Sequence, residues 1–332
     1  ENPIILQNGK GVHIPRPNYR SEMISDWDRE LIGFAADNDV EFIGASFVEA
    51  PQDVQAIRSL INSAGPEIVV KIETKQGLDN LSELIQVSDA LMIDRGDLAV
   101  ETRSENVALL QKRILKEANA ASCPVIVATE ILQSMVHSKT PTKAEISDIT
   151  NLVLDGASVL MLSGETAVGK YPVEAVSLMR RVADTVAASV HEKPTADRRG
   201  DSVPQAIGEA IALICQHLEV TKIVAITISG YAARMIAAKT PRQPILAVSN
   251  DPTAARRFNL WRGVQGKYVD VAFSRTNLDH IPQCLETLWR NGDLVDHDLI
   301  LVTAVGYPNS GNRMNLIETH RVADLRANLG WK

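Results

Sequence analysis

Lys71-Ile72-Glu73 ends a short apolar run, Glu67–Ile72 (EIVVKI). On a strand, side chains two positions apart point the same way, so Lys71 and Glu73 share a face. At the mouth of a barrel the pair would present a cation and a carboxylate side by side. The plain alternative is a structural salt bridge. Farther along, Asp94-Arg95-Gly96-Asp97-Leu98 follows the run Ala90–Ile93. Gly96, flanked by Arg95 and Asp97, lets backbone N–H groups approach an anion, and Asp97 adds a hard oxygen. Glu73 and Asp97 together make a two-carboxylate site suited to Mg2+ or Mn2+, which keep waters and also bind phosphate oxygens. The alternative is an ordinary strand-to-helix turn. Arg-Gly-Asp is also a cell-adhesion tripeptide, set aside because nothing else in the sequence looks extracellular. Thr129 puts a hydroxyl after the run Pro124–Ala128, either for substrate or as a helix N-cap. Ser163, with Gly164 and Thr166, forms a small, hydroxyl-rich step that suits phosphate contact.

These groups need a frame. Glu41–Phe47, Glu67–Ile72, Ala90–Ile93, Pro124–Ala128 and Ser158–Leu162 are apolar runs, as expected for parallel strands covered on both faces. Helical patterns lie around and between them: Trp27–Asn38 with Asp26 as N-cap, Pro51–Ser63, Leu78–Val87, Ser104–Ala121 and Lys143–Asp155. The alternation predicts a parallel (β/α) architecture. Ser46, Lys71, Glu73, Arg95, Asp97, Thr129, Ser163 and Glu165 all fall at C-terminal strand ends, where a TIM barrel gathers its catalytic groups. The charged stretch Glu192–Asp201 reads as a linker. Beyond it, the helix Val203–His217 and the strands Lys222–Ile228, Pro244–Val248 and Leu299–Thr303 predict an open α/β sandwich. The expected domains are 1–191 and 192–332.

Composition narrows the function classes. Aromatic residues make up only 4% of the 332, which argues against a stacking platform for nucleic acid. The net charge of −7, with both signs interspersed, fits a soluble cytoplasmic enzyme. Cys123, Cys215 and Cys284 lie far apart and read as buried thiols. No run is long and apolar enough to predict a membrane span. A start at Glu1 rather than Met predicts a processed or partial chain.

The motifs gain meaning in series. The order Lys71-Ile72-Glu73, Arg95-Gly96-Asp97-Leu98, Ala128 to Met135 (ATEILQSM), Pro141 to Asp148 (PTKAEISD) and Met161 to Val176 (MLSGETAVGKYPVEAV) resembles pyruvate kinase. The resemblance runs from about Gly11 to the C-terminus. Gly9 to Pro15 is similar to the family's return from its lid domain. This implies an incomplete TIM-type barrel followed by a smaller α/β sandwich, and phosphoryl transfer from phosphoenolpyruvate to ADP, giving pyruvate and ATP. It implies that Lys71 neutralises the transferring phosphoryl group and that Glu73 and Asp97 hold Mg2+ or Mn2+. Backbone at Gly96 and Asp97 would bind the substrate carboxylate beside Thr129, which would also assist enolate protonation. Ser46 and Ser163 would support substrate from neighbouring tips.

By the same resemblance, Thr227, Ser229 and Gly230 belong to a phosphate-effector loop, and Gly306 to Asn315 to a later effector loop. Tyr231 departs from the usual polar or basic residue. Homo-oligomers, tetramers in the family, are implied. Asp94 and Glu130 also depart from the pattern. Their added charge either tightens metal binding or weakens binding of the anionic substrate. The family's first three strands, its K+ ligands, a substrate-facing arginine and the lid have no counterpart in the sequence. A partial enzyme is therefore expected, against a metal-dependent lyase or aldolase of a pyruvate enolate or a non-catalytic regulatory paralogue.

Overall fold

The computed structural model describes residues 23–61, 65–189, 202–239, 241–274, 277–305 and 314–332. The linker stretch, the segment before Met23 and residues 306–313 lie outside the described residues. In the first half, the helix α1 (Asp26–Asp37) precedes strand β1 (Phe42–Ala45) and α2 (Pro51–Ser59). Then come β2 (Glu67–Ile72), the short helices α3 (Lys75–Asp79) and α4 (Leu81–Val87), β3 (Ala90–Asp94), α5 (Arg95–Glu101) and α6 (Val107–Ala120). β4 (Val125–Ala128), α7 (Lys143–Leu154), β5 (Val159–Met161), α8 (Gly164–Ala167) and α9 (Pro172–Ser189) complete it. The five strands form one parallel sheet in sequential order, β1-β2-β3-β4-β5. It does not close among the described residues, so this is an incomplete barrel with β1 and β5 at its edges.

Strand alternation sorts the side chains onto two faces. Ile68, Val70, Ile72, Leu91, Ile93, Val125 and Val127 pack outward against helix residues such as Ile57, Leu84, Ile114 and Ile149. Val69, Ala90 and Ile126 face inward with Met92, Val159 and Met161. Lys71 and Asp94 continue this inward series at the C-terminal ends of their strands. Each fully buried aliphatic side chain stabilises the fold by about 1.5–3 kcal/mol, so a register slip that exchanged the two faces would be strongly disfavoured.

The second half begins with α10 (Val203–His217), β6 (Lys222–Ile226), α11 (Tyr231–Ala237), β7 (Ile245–Ser249), α12 (Pro252–Arg257) and β8 (Val264–Tyr268). It continues with α13 (His280–Arg290), β9 (Leu299–Ala304), β10 (Leu316–Arg321) and α14 (Val322–Leu329). The sheet order is β10-β9-β6-β7-β8, with only β10 antiparallel to its neighbour. Val224, Ile226 and Val302 face α13. Ile223, Ala225 and Leu301 face α10 and α11. This makes a three-layer α/β sandwich. Its 3-10 turn at Phe258–Leu260 sends Leu260 into the inward face of the first sheet. Arg257 Nη2 donates to Gly65 O at 2.7 Å across the same junction.

Several boundaries differ from the sequence expectation. The N-cap of α1 is Ser25, not Asp26: Asp28 N donates to Ser25 Oγ, and Asp28 Oδ2 accepts from Ser25 N, a reciprocal capping box. The expected helix Leu78–Val87 is broken into α3 and α4 at Asn80, whose side chain donates to Glu49 O. Strands β8 and β10 and helices α9, α12, α13 and α14 have no counterpart in the sequence expectation. β8 carries Gly266 because the backbone of α12 crosses it closely: a Cβ there would stand 1.7 Å from Ala255 O. Gly266→Ala should therefore destabilise the second half by about 2 kcal/mol or more through enforced backbone movement, measured by urea unfolding. An unchanged midpoint would contradict that close approach.

The three cysteines are buried and unpaired. Burial pushes the Cys123 and Cys284 thiols up to about 12 and Cys215 up to about 11. No helix among the described residues is long and apolar enough to cross a membrane.

Candidate active site

Four consecutive strand tips build the site. After β1 the chain turns through Phe47, whose φ is +54°. The Phe47 N–H donates to Glu73 Oε1 at 2.6 Å, joining the first two tips. Thr74 caps α3 by accepting from Gly77 N, so the backbone turns sharply once Glu73 has been placed. The Glu73 side chain is fully buried, and its Oε2 makes no hydrogen bond. Lys71 Nζ does stand 2.8 Å from Oε2, an ion pair without hydrogen-bond alignment. Lys71 Nζ also lies 3.3 Å from Asp94 Oδ2 and donates to Ser46 Oγ at 3.3 Å.

The third and fourth tips are tied by Arg95, which is buried. Its Nε and Nη2 donate to Thr129 O at 3.1 and 2.6 Å, and its Nη1 to Asp148 Oδ2 at 2.7 Å. Thr129 and Glu130 both have positive φ, +66° and +55°. Arg95 thus locks a strained backbone step of the kind found at functional sites. Thr129 is not a helix N-cap; the next element is a 3-10 turn, Gln133–Val136. Its Oγ1 accepts from Gly96 N at 3.1 Å and lies 2.7 Å from Ala128 O and 3.5 Å from Asp94 Oδ1. α7 is held to this layer by Glu145, which accepts from Ser134 N and Oγ and closes a capping box with Thr142.

The charges explain one another. Burial opposes the Lys71 ammonium, but Glu73 and Asp94 outweigh it and hold its pKa above 10.5. Burial raises the Glu73 carboxyl above its ordinary value; Lys71 and the Phe47 N–H oppose this, and the Asp97 charge adds to it. Glu73, Asp94 and Asp97 each offer one carboxylate oxygen, and the three oxygens lie within 4.8 Å of one another. Hard oxygens in that number, one of them buried against the Lys71 ammonium, fit a hard divalent cation such as Mg2+ or Mn2+.

Ser46, Lys71, Glu73, Gly96, Asp97 and Thr129 therefore converge. Ser163 stands at the tip of β5, where its backbone N–H donates to Glu165 Oε2 and its carbonyl accepts from Thr166 and Ala167. Glu165 is buried and bridges Ser163 N and Leu132 N, a structural tie. Sequence reasoning did not count Asp94 as a member of the carboxylate set. The available signal was its parity: it follows Ala90 and Met92 on the inward side, and Met92 pairs in register with Lys71. Glu130 is exposed.

Thr227, Ser229 and Gly230 follow β6. Gly230 has φ +71°, and a Cβ there would stand 2.2 Å from the Trp261 ring, which stacks on Phe258. Its glycine thus has a packing reason. Of the later effector loop, only Met314 and Asn315 lie within the described residues. A cleft of about 270 Å³, lined by Cys123, Asp155, Arg234 and Trp261, opens at the N-terminal ends of β4 and β5, away from the strand tips.

A family model described as the pyruvate kinase barrel domain matches residues 1–176, and one for the pyruvate kinase alpha/beta domain matches residues 205–320. The chain is 39% identical over 333 residues to a pyruvate kinase of Bacillus licheniformis, covering 97% of this chain and 56% of that protein. It is 38% identical to a pyruvate kinase of Sporosarcina psychrophila and 36% identical to one of Geobacillus stearothermophilus, with the same coverage. The chain thus spans 56% of the length of these relatives.

Proposed function

The chain belongs to the pyruvate kinase family, and on that footing we propose that it carries the phosphoryl-transfer half of an enzyme converting phosphoenolpyruvate and ADP to pyruvate and ATP. The observation that carries this reading is the convergence of Glu73, Asp94 and Asp97 around the Lys71 ammonium at the open mouth of the inward face. Phosphoryl transfer asks the protein mainly for positioning and charge neutralisation. Lys71 provides a cation on a half-buried stem, aimed by Ser46. Glu73 and Asp97 would hold Mg2+ or Mn2+, which supplies charge stabilisation to phosphoryl and enolate oxygens.

Backbone at Gly96 and Asp97, in the first turn of α5, is assigned to the substrate carboxylate. The Gly96 N–H is engaged by Thr129 Oγ1, so an anion there must share or replace that bond. The Thr129 hydroxyl is suited to passing a proton toward the enolate through water. Ser163 is assigned a supporting contact from the next tip. Thr227, Ser229 and Gly230 are assigned to a phosphorylated effector, division at 191/192 to the domain boundary, and self-assembly to the second domain. A cytoplasmic setting and homo-oligomers belong to the same proposal, and any K+ would be held by ligands outside these 332 residues.

The open edges of the sheet give a functional expectation. The 332-residue chain alone should form no ATP from phosphoenolpyruvate and ADP. Co-expression with the N-terminal region of a relative, which would pair against those edges, should restore it in a coupled assay. ATP formation by the chain alone would overturn the need for added strands. Failure of the reconstituted assembly, with both parts folded and associated, would overturn the catalytic assignment.

A further inference from the structure

The site holds one carboxylate more than the assignment above uses. Asp94 ends β3 on the inward side with its side chain only 14% exposed. One oxygen lies 3.3 Å from Lys71 Nζ and the other 3.5 Å from Thr129 Oγ1. Across the lysine, the buried Glu73 Oε2 has the Lys71 ammonium, 2.8 Å away, as its partner. The Lys71 ammonium is thus bracketed by Glu73 and Asp94 and steadied by Ser46 on the exposed side. We infer that Asp94 is a third ligand for the divalent cation, and that Lys71 is the internal counter-ion which that cation displaces. This rests on the metal-site reading above.

Charge and space lead to the same exchange. Three carboxylates outnumber the one ammonium, and a dication in its place offsets more of their −3 than the ammonium does. Two of the three carboxylates that would hold that ion, Glu73 and Asp94, are those Lys71 already contacts. An ammonium 2.8 Å from Glu73 Oε2 cannot keep its place beside a dication on the same atom, because like charges so close in a half-buried site repel strongly. The stem of Lys71 is flexible and its open side faces the exposed Ser46, so the displaced ammonium swings toward the mouth, where an anion enters. Metal binding and the availability of Lys71 to an anion are then one coupled event. Asp94 allows the metal to bind before any phosphorylated substrate supplies oxygens.

The test is a Mn2+ titration of the whole chain at pH 8, read by electron paramagnetic resonance of free Mn2+ with no phosphorylated compound present. Wild type should bind one ion. Asp94→Asn and Asp94→Ala should each weaken binding roughly ten- to a hundredfold, the scale of losses when groups around a bound metal are removed. Lys71→Met should tighten binding about tenfold by removing the competing cation. Far-UV circular dichroism identifies any unfolded variant, and if the Asp94 variants unfold, Lys71→Met decides alone. Asp94 variants that bind like wild type while Glu73→Gln binds weakly would overturn the inference but leave the two-carboxylate site standing. Unchanged or weaker binding by Lys71→Met would overturn it as well. A wild type that binds no Mn2+ would remove the metal-site reading itself, and this inference with it.

Discussion

In an assembly that turns over, Lys71→Met should lower kcat for phosphoryl transfer by about a thousandfold. A unit positive charge about 4 Å from a developing anionic oxygen is worth about 4 kcal/mol at an effective dielectric of 20, or close to three powers of ten in rate. Among the described residues, the neighbouring cation Arg95 is committed to Thr129 O and Asp148 on the far side of the β3 tip. Lys71→Arg keeps the charge but spreads it over a planar fork too wide for the space between Glu73 and Asp94, so about a tenfold loss is expected. The split between properties identifies the role. If Lys71 only held the carboxylates together, Met would lower rate and Mn2+ affinity in parallel. If it acts on the transferring group, the rate falls while the metal site survives. Rapid-quench measurement of ATP formation, paired with the Mn2+ titration, separates the two. A kcat within tenfold of wild type would remove Lys71 from the chemistry.

Much of this site could be read from residue order because strand periodicity is rigid. Lys71 and Glu73 lie two apart at the end of β2, and the structure places them in contact. The covered strands β2, β3 and β4 are continuous apolar runs, and all three were legible. Strands β8 and β10 were not, for a physical reason. β8 (VQGKY) is an edge strand interrupted by the glycine that the Ala255 carbonyl demands, and β10 (LIETHR) alternates polar residues on an antiparallel edge. Neither has the double burial that writes an apolar run into a sequence. The roles of Arg95 and Glu165 were equally hidden. Both sit at strand ends where catalysis is expected, yet both are buried ties between neighbouring tips, a distinction that depends on partners 34 to 53 and 33 residues away. Asp94 lay in between. Its parity was readable, but its partnership with Lys71 depends on the pairing of β2 with β3, which only the fold supplies.

The largest expected loss of stability lies outside the site, at Asp298. This residue is buried just before β9. Its Oδ2 accepts from Lys222 Nζ at 2.7 Å and Val295 N at 2.8 Å, and its Oδ1 from Thr221 Oγ1 at 2.8 Å. Its own carbonyl accepts from Val322 N, so one residue joins the starts of β6, β9 and α14. Burial alone would raise the carboxyl, but Lys222, the Val295 N–H and the Thr221 hydroxyl outweigh it and hold the pKa below its ordinary value of 3.8. Asp298→Ala leaves an ammonium, an N–H and a hydroxyl without this acceptor, and should cost about 3–5 kcal/mol. Asp298→Asn keeps the shape and one oxygen acceptor but not the charge, and should cost about 1–3 kcal/mol. The pH dependence fixes the cause. A carboxyl with a depressed folded-state pKa contributes stability above its unfolded value, and that contribution disappears as pH falls through the folded value. The gap between wild type and Asp298→Asn should therefore be constant above about pH 5 and shrink only as pH falls below 4. Urea unfolding of both proteins from pH 7 to pH 3 measures it. A gap that stays constant down to pH 3 would mean that packing, and not the Lys222 charge, is what Asp298 contributes.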